Sequence, residues 1–248
     1  MGVIHITELI KTFLIGIFFG TFGTTIGGLI GVNLKSNSNK FLGFILSFAS
    51  GLMMAIICFD LLPEAMEIAS LAVILLGILL GILTMIICDT LVKEKFSNKK
   101  GMNSLLRTGI IISIGLALHN IPEGLAIGTG FQASINLGLS LAIVIAIHDV
   151  PEGISMAVPM KKGGMSKGKV IFYVIMSGIS TGIGALVGHL VGGISESIIA
   201  TSLSFAAGAM LYIVSGELTL EANNMYKGRM NAIGNILGFI LGIIAISI

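Results

Sequence analysis

Charge is what this sequence has least of. Asp, Glu, Lys and Arg make up 10% of its 248 residues and hydrophobic residues 55%, where an ordinary soluble domain is about 25% charged. Mean hydropathy is +1.05. A soluble chain of this length must cover its surface with polar side chains, and this one has too few. Cysteine is also scarce. Cys58 and Cys88 both fall in apolar runs and form no C-x-x-C pair, which argues against a disulfide framework and for free, membrane-buried thiols. No nucleic-acid-binding or phosphate-cradling motif is apparent, and the His-Glu-x-x-His string of zincin metalloproteases does not occur.

What the sequence does contain is a series of apolar runs of 18 or more residues, long enough to cross roughly 30 Å of hydrocarbon as helices. Inside hydrocarbon every backbone polar group needs an internal partner, so a spanning segment is a helix or part of a closed barrel. The runs are continuous rather than alternating, which selects helices. The sequence therefore predicts an all-α integral membrane protein with eight spans, at about 9–32, 41–62, 68–92, 104–128, 135–159, 170–193, 198–221 and 231–248. The first run is longer than the apolar region of a signal peptide and has no small-residue cleavage site, so it counts as a span. All connections are short, and residues 1–248 read as a single transmembrane domain. Thirty-four glycines would weaken soluble helices but suit a membrane bundle, where small residues let backbones approach. Gly16/Gly20, Gly23/Gly27, Gly77/Gly81, Gly184/Gly188 and Gly234/Gly238 have the spacing for that use.

A net charge of +2 says little, but its distribution says more. Lys35 and Lys40, then Lys93, Lys95, Lys99, Lys100 and Arg107, then Lys161, Lys162, Lys167 and Lys169, then Lys227 and Arg229 fall in alternate loops, 13 of the 14 basic residues. The intervening loops hold Glu64, Glu67 and Glu196 and no base. The positive-inside rule places the basic loops in the cytoplasm and both termini outside, with Lys11 alone dissenting.

Two motifs carry the chemistry. Span 4 contains His119-Asn120-Ile121-Pro122-Glu123-Gly124 and span 5 contains His148-Asp149-Val150-Pro151-Glu152-Gly153. An intramembrane carboxylate is costly and marks function by default, and here Glu123, Asp149 and Glu152 lie far from the ends of two consecutive, antiparallel spans. Positions i and i+4 share a helix face, so His119 should sit over Glu123 and His148 over Glu152, with Asn120 and Asp149 paired to the same glutamates at i+3. Pro122 and Pro151 each remove a backbone donor and kink the helix, freeing the carbonyls of Leu118 and Ile147. Imidazole nitrogens together with carboxylate oxygens suit Zn²⁺ and neighbouring divalent ions. A single motif could be a kinked packing element with a satisfied His–Glu pair, but two matching copies on adjacent spans point to a metal site.

The pair HNIPEG and HDVPEG resembles the signature of spans 4 and 5 in the ZIP (Zrt/Irt-like protein) family of metal transporters, and the bacterial GufA-like branch fits best. Ser50–Met54 through Leu62-Pro63-Glu64-Ala65 in span 2, and Phe205–Met210 through Glu217 and Glu221 in span 7, extend the resemblance over nearly the whole chain. It implies spans 1–3 and 6–8 related as an inverted repeat around spans 4 and 5, a homodimer, and movement of Zn²⁺, Fe²⁺, Mn²⁺, Co²⁺ or Cd²⁺ toward the cytoplasm as cargo, with no cofactor. By the same resemblance His119, Glu123, His148 and Glu152 are primary ligands, and Asn120 and Asp149 belong to an adjacent second site sharing the glutamates. Met53 is a soft ligand from span 2, with Leu52 or Met54 as the other possible matches. Thr181 departs from the family: it stands where binuclear members have a glutamate in span 6, which leaves one bound ion as the expectation. The loop between spans 3 and 4 also lacks the histidines many members have there.

Asp60 and Glu64, at the outer end of span 2, could form an outer funnel or be solvated end charges. Glu217 and Glu221, one turn apart near the inner end of span 7, could line an exit. Asp89 reads as a solvated helix end, and His189 as packing among glycines. Metal efflux and an intramembrane metal-dependent hydrolase are the competing functions; the missing zincin string and the prolines in both acidic motifs weigh against the hydrolase.

Overall fold

The computed structural model describes residues 2–34, 39–97 and 104–246, and every regular element among them is helical. Eight helices among the described residues are long and apolar enough to cross a membrane. They are span 1 (Gly2–Asn33), span 2 (Asn39–Ile68), span 3 (Leu71–Ser97), span 4 (Ser104–Ala133), span 5 (Ile135–Lys162), span 6 (Lys167–Gly192), span 7 (Glu196–Met225) and span 8 (Arg229–Ile246). Lys35, Lys99 and Lys100 of the basic loops lie outside the described residues, as do the side chains of Lys93, Lys95 and Arg107.

Several expected boundaries move, among them those between spans 2 and 3. The sequence ends span 2 at 62 and starts span 3 at 68, whereas span 2 continues to Ile68 and span 3 begins at Leu71. The cause is a π-turn. The α-helix Asn39–Ile56 widens over Ile57–Leu61, where the Leu62 N–H bonds back to the Ile57 carbonyl, and resumes as Leu62–Ile68 with Pro63 in its first turn. Pro63 has no N–H, and it follows directly on the widened turn, where the hydrogen-bond pattern has already shifted and the helix continues past it. Span 7 makes the same turn without a proline: Glu196–Ile213, the π-turn Val214–Leu218, then Thr219–Met225. The turn therefore belongs to an architecture shared by spans 2 and 7. Spans 4 and 5 stay helical through Pro122 and Pro151.

The packing is two-fold in kind. Span 4 packs on span 6 as span 5 packs on span 1, and span 2 packs on span 8 as span 7 packs on span 3. The match extends to single glycines. A Cβ on Gly124 would strike the Thr181 carbonyl, and one on Gly184 the Ile121 carbonyl; in the other half Gly153 meets the Thr24 carbonyl and Gly27 that of Val150. Likewise Gly51 abuts the Asn235 carbonyl and Gly238 that of Phe48, while Gly208 abuts the Ile78 carbonyl and Gly81 that of Phe205. Spans 1–3 and 6–8 thus form the inverted repeat, and the small-residue spacings are where its backbones touch. The repeat is also written in the sequence, as Leu46-Ser47-Phe48-Ala49-Ser50-Gly51-Leu52-Met53 against Leu203-Ser204-Phe205-Ala206-Ala207-Gly208-Ala209-Met210.

The central apolar cluster is built mainly from spans 2, 4, 5 and 7, with Leu52, Met53, Ile56, Ile127, Ile145, Leu203 and Met210 fully enclosed. Spans 1, 3 and 8 turn Phe18, Leu79, Leu83, Ile236 and Ile244 outward, the arrangement of a lipid-facing surface. Cys58 is on that exterior rather than buried, and Cys88 is half-buried; both are free.

Gly184→Val should force spans 4 and 6 apart and cost about 1–3 kcal/mol or more, read as a lower thermal unfolding midpoint in detergent. Gly168→Ala, where an added Cβ has open space, should leave the midpoint unchanged or raise it.

Candidate metal centre

Spans 4 and 5 run antiparallel against each other, and the identical His-x-x-Pro-Glu-Gly spacing brings both motifs to one level. His119, Glu123, His148 and Glu152 are all buried, and one donor atom from each lies within 4.8 Å of every other. Both imidazoles converge on one oxygen: His119 Nε2 is 2.9 Å and His148 Nε2 2.6 Å from Glu123 Oε1. His119 Nε2 is also 3.2 Å from Glu152 Oε1. The i,i+4 expectation therefore holds for His119 with Glu123 but not for His148. His148 turns from its own Glu152 to the glutamate of the other span, because the antiparallel pairing offers a carboxylate across the interface.

The cluster is under-satisfied as it stands. Of these contacts only His148 with Glu123 has hydrogen-bond alignment, so Glu123 Oε2, both Glu152 oxygens and His119 Nε2 are buried without a hydrogen bond. Among the described residues no Lys or Arg is buried near them or elsewhere. Carboxylates desolvated without a compensating cation are strongly unfavourable. Donors around a tetrahedral Zn²⁺ at about 2.0–2.2 Å stand roughly 3–4 Å apart, so sub-ångström adjustments would let this quartet close on an ion.

The remaining predicted residues divide. Asn120 does not pair with Glu123; its Nδ2 donates to the Ser177 carbonyl at 2.9 Å, tying span 4 to span 6. Asp149 lies 3.5 Å from His148 Nε2 and beside Gly23 of span 1, with both carboxylate oxygens unpartnered. Thr181 is buried against Gly20 and Gly124, its hydroxyl also unpartnered. Met53 is enclosed in the central apolar cluster. Asp60 sits inside the first π-turn with Oδ2 buried and unpartnered, and Glu64 lies one turn on, half-exposed. Glu217 falls in the second π-turn, but its side chain lies outside the described ones. His189 does more than pack: its Nδ1 is 3.0 Å from the Thr12 hydroxyl of span 1.

A cavity of about 480 Å³ reaches from the basic-loop side toward this cluster. Asn39, Lys162, Glu221 and Met225 line it at the helix ends, and Gly115, Leu118 and Ser155 at its depth. Leu118 precedes His119, and the Ser155 hydroxyl donates to the Glu152 backbone carbonyl at 2.7 Å; the four quartet residues themselves do not line the cavity. Asp89 is not a free helix end; it lines this cavity and accepts from the Tyr212 hydroxyl at 3.1 Å. Sequence reading missed Ser155 and Ser177, which give no signal beyond being polar in apolar helices.

Fold and site together define a polytopic helical membrane protein with a buried histidine–carboxylate quartet of the kind that suits a divalent transition metal. The chain belongs to the ZIP zinc transporter family. The family profile described as "ZIP Zinc transporter" matches residues 93–248. The chain is 30% identical over 226 residues to "Zinc transporter ZupT" of Salmonella heidelberg (strain SL476), covering 87% of this chain and 88% of that protein. It is 36% identical over 149 residues to "Zinc transporter ZIP11" of Xenopus tropicalis, and 34% over 148 residues to the Homo sapiens protein of that name. Each of these matches spans 57% of this chain but only 44% and 43% of the ZIP11 proteins.

Zn²⁺ at 100 times its dissociation constant should stabilise the folded protein by about 2.7 kcal/mol. That gain should appear as a raised thermal midpoint and disappear in Glu123→Gln/Glu152→Gln.

Proposed function

We propose that this protein moves divalent transition-metal ions, Zn²⁺ foremost, across the cell membrane into the cytoplasm, with the ion held in passage by His119, Glu123, His148 and Glu152. The observation that carries the reading is the enclosed quartet itself: two imidazoles and two carboxylates whose donor atoms fall within 4.8 Å, with no Lys or Arg buried beside them among the described residues. The ion is the cargo, and the protein's part is to replace its hydration shell. Asp149 and Asn120 set the charge and position of the neighbouring helix faces. Met53 adds a soft donor from span 2. With a neutral hydroxyl at Thr181, the centre holds one dication at a time.

The cavity on the basic-loop side supports alternating access. Ile112, Leu116, Leu46 and Leu218 line it on the basic-loop side. Their inverted-repeat counterparts Leu141, Ile145, Leu203 and Leu61 are fully enclosed and do not line it. Exchanging the arrangements of the two halves would close this cavity and open its equivalent on the other side. Asp60 and Glu64 then serve the outer approach and Glu217 and Glu221 the inner exit. The basic loops set the cavity side as cytoplasmic, which places both termini outside, and the protein works as a single transmembrane unit. Its resemblance to the family adds a homodimer.

In proteoliposomes with an imposed Zn²⁺ gradient, wild-type protein should carry Zn²⁺. Glu123→Ala and Glu152→Ala should each reduce initial flux by at least about tenfold, in line with the loss of a metal-site partner. Zn²⁺ flux unaffected by both substitutions would overturn the reading.

A further inference from the structure

The inverted repeat contains a second methionine that the metal route described above does not use. Met53 closes Leu-Ser-Phe-Ala-Ser-Gly-Leu-Met in span 2, and Met210 closes Leu-Ser-Phe-Ala-Ala-Gly-Ala-Met in span 7. The equivalence is structural as well. Gly51 and Gly208, two residues before each methionine, rest on the carbonyls of Asn235 and Ile78 in the paired outer spans. One turn after each methionine its span widens into a π-turn, at Ile57 and at Val214. The relation that carries Met53 onto Met210 also exchanges span 4 with span 5, and so His119 with His148 and Glu123 with Glu152.

Both methionines are fully enclosed and belong to one apolar cluster. That cluster also holds Ala126 and Ile127, one turn beyond Glu123, and Ile145, one turn before His148. A buried methionine is ordinarily a gap-filler. Here the primary ligands exchange in like pairs, His119 with His148 and Glu123 with Glu152, and Met210 is the like counterpart of the span-2 donor Met53. Thioether sulfur is a soft donor that favours Zn²⁺ and Cd²⁺ over Mn²⁺. The cavity is lined by Leu46 of span 2 and Leu218 of span 7, and exchange of the halves would exchange the places of Met53 and Met210 relative to it.

Resting on the transport reading above, we propose that Met210 is a second sulfur donor to the transported ion, equivalent to Met53. The two thioethers meet the ion in opposite conformations of the repeat and together bias transport toward soft divalent cations.

Competitive Cd²⁺ and Mn²⁺ flux into proteoliposomes tests this. Met210→Leu should lower the Cd²⁺:Mn²⁺ flux ratio by about tenfold, on the scale of losing a metal-site partner. Met210→Cys, which restores a sulfur, should recover much of the ratio. An unchanged ratio in Met210→Leu, or equal loss of both fluxes with no recovery in Met210→Cys, would overturn the proposal. Glu123→Ala run alongside separates the two claims, since its retained flux would defeat the transport reading itself. If Met210→Leu does not fold, methionine-methyl NMR of the wild type decides. The Met210 resonance, assigned by its absence in Met210→Cys, should move during Cd²⁺ titration, and a fixed resonance would contradict the proposal.

Discussion

The structure depends on one electrostatic constraint: Glu123, Asp149 and Glu152 are enclosed together with no Lys or Arg among the buried described residues. Low-dielectric surroundings make such a cluster unfavourable by several kcal/mol per uncompensated charge. The two imidazoles relieve part of this, and their convergence on a single Glu123 oxygen shows how few partners the protein itself supplies. On the proposed reading a dication would complete the set, and the cost of the bare cluster would make the ion's binding favourable and would have to be balanced when the ion leaves.

Holding that cluster requires rigid backbones at close range. Glycine at 124, 153, 184 and 27 brings spans 4 and 5 against spans 6 and 1 until carbonyls touch the neighbouring helix. Apolar side chains could not set the spacing this tightly, since lipid competes for the same surfaces. Spans 2 and 7 bring the opposite property. Each carries a π-turn, a local widening of the kind frequent at functional sites, and each has an acidic residue in it, Asp60 in one and Glu217 in the other. Tight four-helix packing around the quartet thus stands beside wider turns on the flanking helices.

Much of this was legible in the sequence. Span number and order follow from hydropathy, because a helix crossing hydrocarbon has no other way to satisfy its backbone. The quartet follows from two six-residue motifs, because ionisable groups are otherwise excluded from such helices. Detail that depends on neighbours was less accessible. The pairing of His148 with Glu123 depends on how two helices face each other, which i,i+4 spacing within one helix cannot report. The continuation of span 2 beyond Pro63 depends on a π-turn, for which hydropathy has no period. Asn120 turns to Ser177 because span 6 comes close enough through its glycines, a fact of packing. Asp89 gains its place in the cavity from Tyr212 and from spans that are distant in the chain. The inverted repeat is an intermediate case, visible in two octapeptides only when span 2 is laid beside span 7.

The central claim is that one dication joins the two motif pairs. Anomalous scattering at the zinc edge from crystals of Zn²⁺-loaded protein measures it most directly. The account predicts a single strong peak between spans 4 and 5, at about 2.0–2.2 Å from His119 and His148 nitrogens and from Glu123 and Glu152 oxygens. Zinc bound only at exposed carboxylates, with the histidines still resting against the glutamates, would contradict it.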